Sequence, residues 1–275
     1  MLHQQRPPVW VLPCGIVSGM VSGLLGVGGG LVVSPVLLLS GLPLRKATGT
    51  ALAVIPLVAL MAVIADVITL PGNLRVALAA AVALGGPFGV RIGRLVEERL
   101  PAKTLSTLFQ LLLVLTALRS LGLWGDLPGE ALAGVAAGNF WMQQGLAVLL
   151  GVIAGICSVL FGVGGGVVVV PGLIFLVGGV DFRAATAASL LAMVPTTLFS
   201  VRAAVASQRV EKAFIPKLLL GAIPASALAV WLRNAWMKPQ ILSILFGVFL
   251  LFVALKLSLK RGVTDGSGPR SPRKS

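Results

Sequence analysis

GIVSGMVSGLLGVGGGLVVSP (15–35) and GVIAGICSVLFGVGGGVVVVP (151–171) are two versions of one pattern. Gly15, Gly19, Gly26, Gly28, Gly29, Gly30 and Pro35 align with Gly151, Gly155, Gly162, Gly164, Gly165, Gly166 and Pro171 at one fixed offset. Neither stretch contains a charged residue. A run of glycines is a poor helix former, and in hydrocarbon an unpaired backbone group costs several kcal/mol. A chain that breaks its apolar helices twice in the same way has a use for the break. That makes the paired turns the first place to look for a binding site.

The surrounding composition sets the class. Of 275 residues, 57% are hydrophobic and 11% charged, with a mean hydropathy of +1.03. Soluble domains carry about 25% charged residues, so the chain reads as an integral membrane protein. No charge occurs between Arg6 and Arg45 or between Glu130 and Asp181. The formal net charge of +14 does not point to nucleic acid, because Lys and Arg lie at the ends of apolar spans and form no basic patch on a soluble domain. Cys14 and Cys157 occupy unmatched repeat positions inside apolar spans, which favours buried free thiols over a disulfide. After Arg6 no small-residue cleavage site follows, so the first apolar stretch reads as a retained membrane element.

Eight membrane elements are expected, over 9–40, 47–69, 74–95, 103–123, 145–179, 184–206, 212–232 and 239–259. A spanning helix needs about 20 residues, so the first and fifth are too long for one straight helix and fit two half-helices around a glycine break. The duplication continues past the glycines. LRKATGTALAVIP (44–56) resembles FRAATAASLLAMVP (182–195), Pro87 answers Pro224, and LSTLFQLLLVLTALR (105–119) answers LSILFGVFLLFVALK (242–256). The expected organisation is a short N-terminal segment (1–8), a four-helix repeat (9–123), an interfacial linker (124–144), a second four-helix repeat (145–259) and a basic disordered tail (260–275). Four spans per repeat predicts parallel repeats about an axis along the membrane normal, a parity that a re-entrant first element would change. The Lys and Arg residues then divide between the two sides, and the tail tips the balance to both termini cytoplasmic.

Gly28, Gly29 and Gly30, with Gly164, Gly165 and Gly166, can take φ > 0 and let a ligand approach the backbone. The half-helices that follow begin with unpaired N–H groups at the positive end of a dipole, which suits an anion. Gly15, Gly19 and Gly23 read instead as helix-packing positions. GVGGG is not a nucleotide loop: Leu31 and Val167 stand where Gly-Lys-Ser/Thr would be needed, and no strand pattern surrounds it. Thr48, Thr50, Thr186 and Ser189 open helices two and six, where their hydroxyls could donate to an anion or bond back to the helix. Arg45 and Arg183 stand at the mouths of the same helices, as an electropositive entrance or as interface anchors. Asp66 is the one acid placed to relay protons, with interface placement the plainer reading. No metal-ligand spacing and no Ser-His-acid arrangement is present, so neither a metal nor an enzyme activity is expected.

The paired G-x-x-x-G…GVGGG…P elements, each followed by an A-T-x-x-[AS]-L…P helix, resemble the TauE/SafE family of sulfite-exporter-like permeases over about Val11 to Leu259. The resemblance implies a transporter of small anions, typically sulfite or other sulfur-containing organic anions, in a prokaryotic plasma membrane. It places Gly28, Gly29, Gly30, Gly164, Gly165 and Gly166 in the family's glycine turns, with Thr48, Thr50, Thr186 and Ser189 on the polar helix starts that follow. Gly49-Thr50-Ala51 against Ala187-Ala188-Ser189 makes the half-sites chemically unequal. The expectation is a multi-pass, all-α secondary transporter working by alternating access, needing no cofactor and driven by a gradient of protons, as coupling ion, or of the substrate itself. A passive anion channel is the alternative, and after it a non-transporting membrane subunit.

Overall fold

The computed structural model describes residues 8–99, 102–123, 139–177 and 180–264, and among them every regular element is helical. The elements are α1 (Val11–Leu25), α2 (Gly30–Leu39), α3 (Leu44–Thr69), α4 (Val76–Arg99), α5 (Ala102–Ser120), α6 (Phe140–Phe161), α7 (Gly166–Gly172), α8 (Phe182–Ala206), α9 (Ile215–Trp236) and α10 (Pro239–Thr264). Among the described residues, five helical stretches are long and apolar enough to cross a membrane: Arg45–Thr69, Val76–Val96, Phe140–Phe161, Phe182–Ala206 and Lys212–Trp236. Their outer faces carry exposed Leu60, Ile64, Leu84, Phe88, Leu220 and Leu228, an apolar belt that belongs in lipid rather than water. The interfacial linker lies outside the described residues up to position 138. Of the tail, residues 265–275 lie outside them, and 260–264 continue α10 as helix.

Local chemistry sets several boundaries. Asn139 caps α6, its Oδ1 accepting from the N–H groups of Trp141 (3.1 Å) and Met142 (3.3 Å). Asp181 caps α8 by accepting from Ala184 N–H at 3.0 Å. Both are N-caps that satisfy donors left over by the first turn. α1 and α6 end on Gly26 and Gly162, each left-handed with φ 69°, the conformation glycine adopts without penalty. Pro35 and Pro171 lie inside α2 and α7, each removing one ladder hydrogen bond. After Pro171 the helix widens into a π-helical turn over Leu173–Val177, a common consequence of a broken ladder.

The first element does not span; it turns back. Val11 and Cys14 from the start of α1 share one cluster with Val33 and Leu37 of α2, Ala47 and Ala51 of α3, and Phe214 and Leu218 beside them. So α2 returns to the level where α1 began. The second element does the same: Ala147 and Leu150 of α6 cluster with Val170, Leu173 and Val177, and Gly172 lies against the Leu150 side chain. Each glycine break is therefore the tip of a re-entrant hairpin.

The hairpins decide how the other helices run. Gly15, Gly19 and Gly23 of α1 lie in turn against the carbonyls of Leu218, Ala222 and Ser226, so α1 and α9 are parallel. Gly151 and Gly155 of α6 lie against the carbonyls of Val82 and Gly86, so α6 and α4 are parallel. A Cβ at any of these glycines would overlap backbone, which is the close approach small residues permit. Thr50, near the start of α3, accepts from the Glu211 N–H just before α9 at 2.9 Å, while Asp66 and Arg233 meet at the far ends of the same helices. Arg183, at the start of α8, donates to the Met237 carbonyl beyond the end of α9. Hence α8 runs against α3 although the two are sequence counterparts. In the same way α5 and α10 are antiparallel, with Ser243 donating to the Ser120 carbonyl at 3.0 Å.

Counterpart helices thus point in opposite directions, which overturns the expectation of parallel repeats. The physical reason is that each hairpin enters and leaves on one side, so it contributes no crossing and the parity becomes odd. The packing also shifts one register. Gly85 lies against the Val148 carbonyl as Gly221 lies against that of Leu12, which sets the third helices one residue away from the alignment of Pro87 with Pro224.

Candidate functional site

The two hairpin tips meet. Gly26, Gly28 and Gly29 have φ of 69°, 73° and 68°, and their counterparts Gly162, Gly164 and Gly165 have 69°, 77° and 85°. These left-handed positions cost a residue with Cβ roughly 1–2 kcal/mol. Gly30 and Gly166 are different: they open α2 and α7, and each is glycine for want of space. A Cβ on Gly30 would overlap the Gly162 carbonyl oxygen, and one on Gly166 would overlap that of Gly26. The first helical bonds of α2 run from Val32 and Val33 to the Gly29 carbonyl, and those of α7 from Val168 and Val169 to the Gly165 carbonyl. The amides of the glycine runs therefore lie upstream of the ladder, at the positive ends of two short helices.

Side chains from α3 and α8 close the space around the tips. Thr48 packs on Gly162 and Thr186 on Gly26, in reciprocal fashion. Ile55 and Met193 are both buried and fill the space beside the two turns. A Cβ at Gly28 would lie 2.8 Å from Met193 Sδ and 3.0 Å from Ile55 Cγ2, and one at Gly164 would lie 3.2 Å from Ile55 Cδ1 and 3.4 Å from Met193 Sδ. Ser189 donates to the Gly26 carbonyl at 3.1 Å, and Ser18 to the Gly29 carbonyl at 3.0 Å. Ser34, whose hydroxyl is buried without a hydrogen-bond partner, stands beside Gly162.

Of the residues expected at a site, the six glycines and Ser189 are brought together. Thr50 is not. It donates to the Lys46 carbonyl at 2.7 Å and accepts from Glu211 N–H, pinning the loop between α8 and α9. Ile55, Met193, Ser18 and Ser34 were not singled out by sequence. The available signal was that Ile55 and Met193 stand at equal distances from Arg45 and Arg183, one and two residues before a helix proline respectively.

The two ends of the molecule differ. At one end a cavity of about 30 Å³ is lined by Arg45, Thr48, Arg94, Val159, Ser207 and Arg209 among others. It opens between the start of α3, the ends of α4 and α8, and the tip of the second hairpin. At the other end Arg183 is tied to the Met237 carbonyl. Behind it Arg233 meets Asp66 at 2.8 Å, with side-chain exposures of 0% and 1%. So the two arginines expected as entrances have unequal settings: Arg45 lines a small vestibule with room for about one water, and Arg183 is tied to a backbone carbonyl. A larger cavity, about 440 Å³, lies between α5 and α10, with Leu111, Val114, Leu251 and Ala254 in its walls; it is away from the glycine tips.

Comparison with known proteins gives the same class. The family described as "Sulfite exporter TauE/SafE" matches residues 2–120 and 147–275. A protein of Methanocaldococcus jannaschii described as a probable membrane transporter is 43% identical over 44 residues, which is 16% of this chain and 16% of that relative. No solved structure matches.

Proposed function

Because the chain belongs to the sulfite exporter TauE/SafE family, we propose that it is a secondary transporter which moves a small, sulfur-containing oxyanion across the plasma membrane by alternating access. That it is a multi-pass membrane protein of a transporter family follows from the family match and the apolar spans. The mechanism rests on one observation, the tip-to-tip contact of the two hairpins, Gly30 on Gly162 and Gly166 on Gly26. Two inverted repeats related by an axis in the membrane plane place such a contact near the midplane, with short-helix N-termini at a substrate.

In this reading the amides of Gly28, Gly29, Gly30, Gly164, Gly165 and Gly166 receive the anion, with the Ser189 hydroxyl beside Gly26. Backbone donors suit this work because they carry partial positive charge without burying a cation. Ile55 and Met193 are the occluding side chains, and transport requires them to withdraw. Thr50 joins the site only when the α8–α9 loop lifts from it. The inequality of Thr50 and Ser189 makes the two half-sites alternate rather than act as equals.

Inversion also supports one orientation over the other. The vestibule end carries Arg45, Lys46, Arg91, Arg94, Arg99, Arg202, Arg209, Lys212 and Lys217, and α10 runs toward it, whereas Arg75, Arg183, Arg233 and Lys238 lie at the other. The positive-inside rule therefore favours a cytoplasmic vestibule and cytoplasmic termini. Counterflow of radiolabelled sulfite in proteoliposomes tests the function. Saturable exchange is expected, whereas large unitary currents in a planar bilayer would establish a channel in its place.

A further inference from the structure

We propose that Asp66 and Arg233 form a proton-operated lock over a second, outward vestibule, and that a small oxyanion takes the place of Asp66 on Arg233 when the lock opens. The inference rests on the transporter reading above and adds to it a coupling residue and a second anion site.

Corresponding places at the two ends of the molecule are occupied differently. In the register that pairs Arg45 with Arg183 and Ile55 with Met193, Ala204 corresponds to Asp66 and Ser207 to Thr69. In the register that pairs Gly15 with Gly151, Val159 corresponds to Gly23. Val159, Ala204 and Ser207 line the small vestibule. Gly23, Asp66 and Thr69 are instead joined by a closed network around Arg233. Arg233 Nη1 donates to the Gly23 carbonyl at 3.0 Å, and its Nη2 lies 2.8 Å from Asp66 Oδ1. Asn234 Nδ2 donates to Asp66 Oδ1 at 2.7 Å and to Thr69 Oγ1 at 2.8 Å. The guanidinium thus stands among the counterparts of residues that line the vestibule at the opposite end. Since the opposite end folds with alanine at the place of Asp66, the architecture does not require an acid there.

The network is also placed to act on the tip. The Gly23 carbonyl is one of the last of α1, with no helical donor of its own, and Gly23 precedes the Gly26 turn by about 4.5 Å of helix rise. Arg233 therefore holds the end of α1 by charge and by hydrogen bond. Asp66 Oδ2 is buried without a hydrogen-bond partner and offers a site for one proton. The other charges acting here are Arg183 and Asp181 at the start of α8; α1 and α2 carry no ionisable group besides Cys14.

Charge balance defines the step. In the locked state Asp66 is the counter-ion of Arg233. When Asp66 takes up a proton it becomes neutral, and a buried guanidinium must then find another anion or leave the interior. An oxyanion entering from solution supplies that charge and offers acceptors to the guanidinium fork. One proton and one negative charge enter together, so transport of a monoanion is electroneutral symport.

The test is uptake of radiolabelled sulfite into proteoliposomes with an imposed pH difference, acid outside. At one proton per anion, a one-unit difference supports about tenfold accumulation. Wild type is expected to accumulate sulfite, D66N to lose the accumulation and its pH dependence, and D66E to keep accumulation with a displaced pH profile. D66E also guards against a fold that simply needs an acid at this place, since a static role would leave the pH profile unmoved. Accumulation by D66N equal to wild type, or wild-type uptake indifferent to the pH difference, overturns the inference and leaves the transporter reading standing. Absence of sulfite transport by wild type at every pH overturns both.

Discussion

Gly30 packs against the carbonyl oxygen of Gly162, and Gly166 packs in the same way against the carbonyl of Gly26. These reciprocal contacts join the tips of two hairpins that enter from opposite sides. Each tip supplies the surface against which the other is formed, so the two turns cannot move independently. A carrier needs this coupling: a change of shape on one side must be felt on the other, and packed interfaces transmit it because they switch rather than stretch.

Substituting alanine at Gly30 or Gly166 therefore forces the tips apart. Overpacking of this kind costs about 1–3 kcal/mol, and both variants are expected to lose sulfite counterflow while still being inserted in the membrane. Gly145→Ala on α6, where a Cβ meets open space, is the matched control and should transport like wild type. Normal exchange by the Gly30 and Gly166 variants would show that the tips are not the site.

Gly19 and Gly155 are expected to fail differently. Both are buried in helix–helix contacts away from the tips, against Ala222 and Gly86 respectively. Valine at either place separates α1 from α9, or α6 from α4, along their length. The expected result is poor accumulation of folded protein, read by size-exclusion chromatography in detergent, rather than folded protein with altered kinetics.

Ile55 and Met193 define a leak. Truncating either to alanine opens space beside Gly28 and Gly164, at a stability cost of about 2–5 kcal/mol. The double variant is expected to show faster efflux of preloaded sulfite in the absence of any gradient, with little loss of saturable binding. Efflux unchanged from wild type would move the occlusion elsewhere.

The buried pair makes a stability prediction separate from its role in transport. Removing Asp66 alone, as Asp66→Ala, strands the Arg233 charge and should cost about 3–5 kcal/mol. Replacing both, as Asp66→Ala with Arg233→Leu, removes the stranded charge and should recover most of that loss. A double-mutant cycle of thermal unfolding in detergent measures the coupling, and additive losses would show the two charges to be independent.

Much of this was legible in the sequence, and the limits have physical causes. The glycine breaks, their pairing, the packing roles of Gly15 and Gly19 and the helical class all follow from composition and spacing. The hairpins do not. An apolar stretch of the length of 9–40 satisfies hydropathy equally as a broken crossing or as a re-entrant loop, and one such ambiguity reverses the parity of everything after it. Arg233 was equally hidden. It lies near the end of an apolar helix between Trp231 and Trp236, where a cation reads as an interface anchor, and its partner Asp66 belongs to a helix in the other half of the chain. Only once α9 is known to run parallel to α3 do their ends coincide. Ile55 and Met193 are ordinary apolar residues, and nothing but position distinguishes them.

The inversion itself is open to direct test at Arg45 and Arg183. These two residues occupy the same place in the repeated sequence, at the starts of α3 and α8, and parallel repeats would put them on the same side of the membrane. In the structure α3 begins beside Arg94 and Arg209, whereas α8 begins beside Met237 at the end of α9. With native Cys14 and Cys157 buried, a membrane-impermeant maleimide should leave the parent protein unlabelled in intact cells. Arg183→Cys is then expected to react from outside, and Arg45→Cys only after the membrane is opened. Labelling of both from the same side would restore the parallel arrangement and remove the basis for a shared midplane site. The opposite pattern, with Arg45→Cys reactive in intact cells, would keep the inversion but place the arginine-lined vestibule outside, reversing the sidedness that the positive-inside rule assigns.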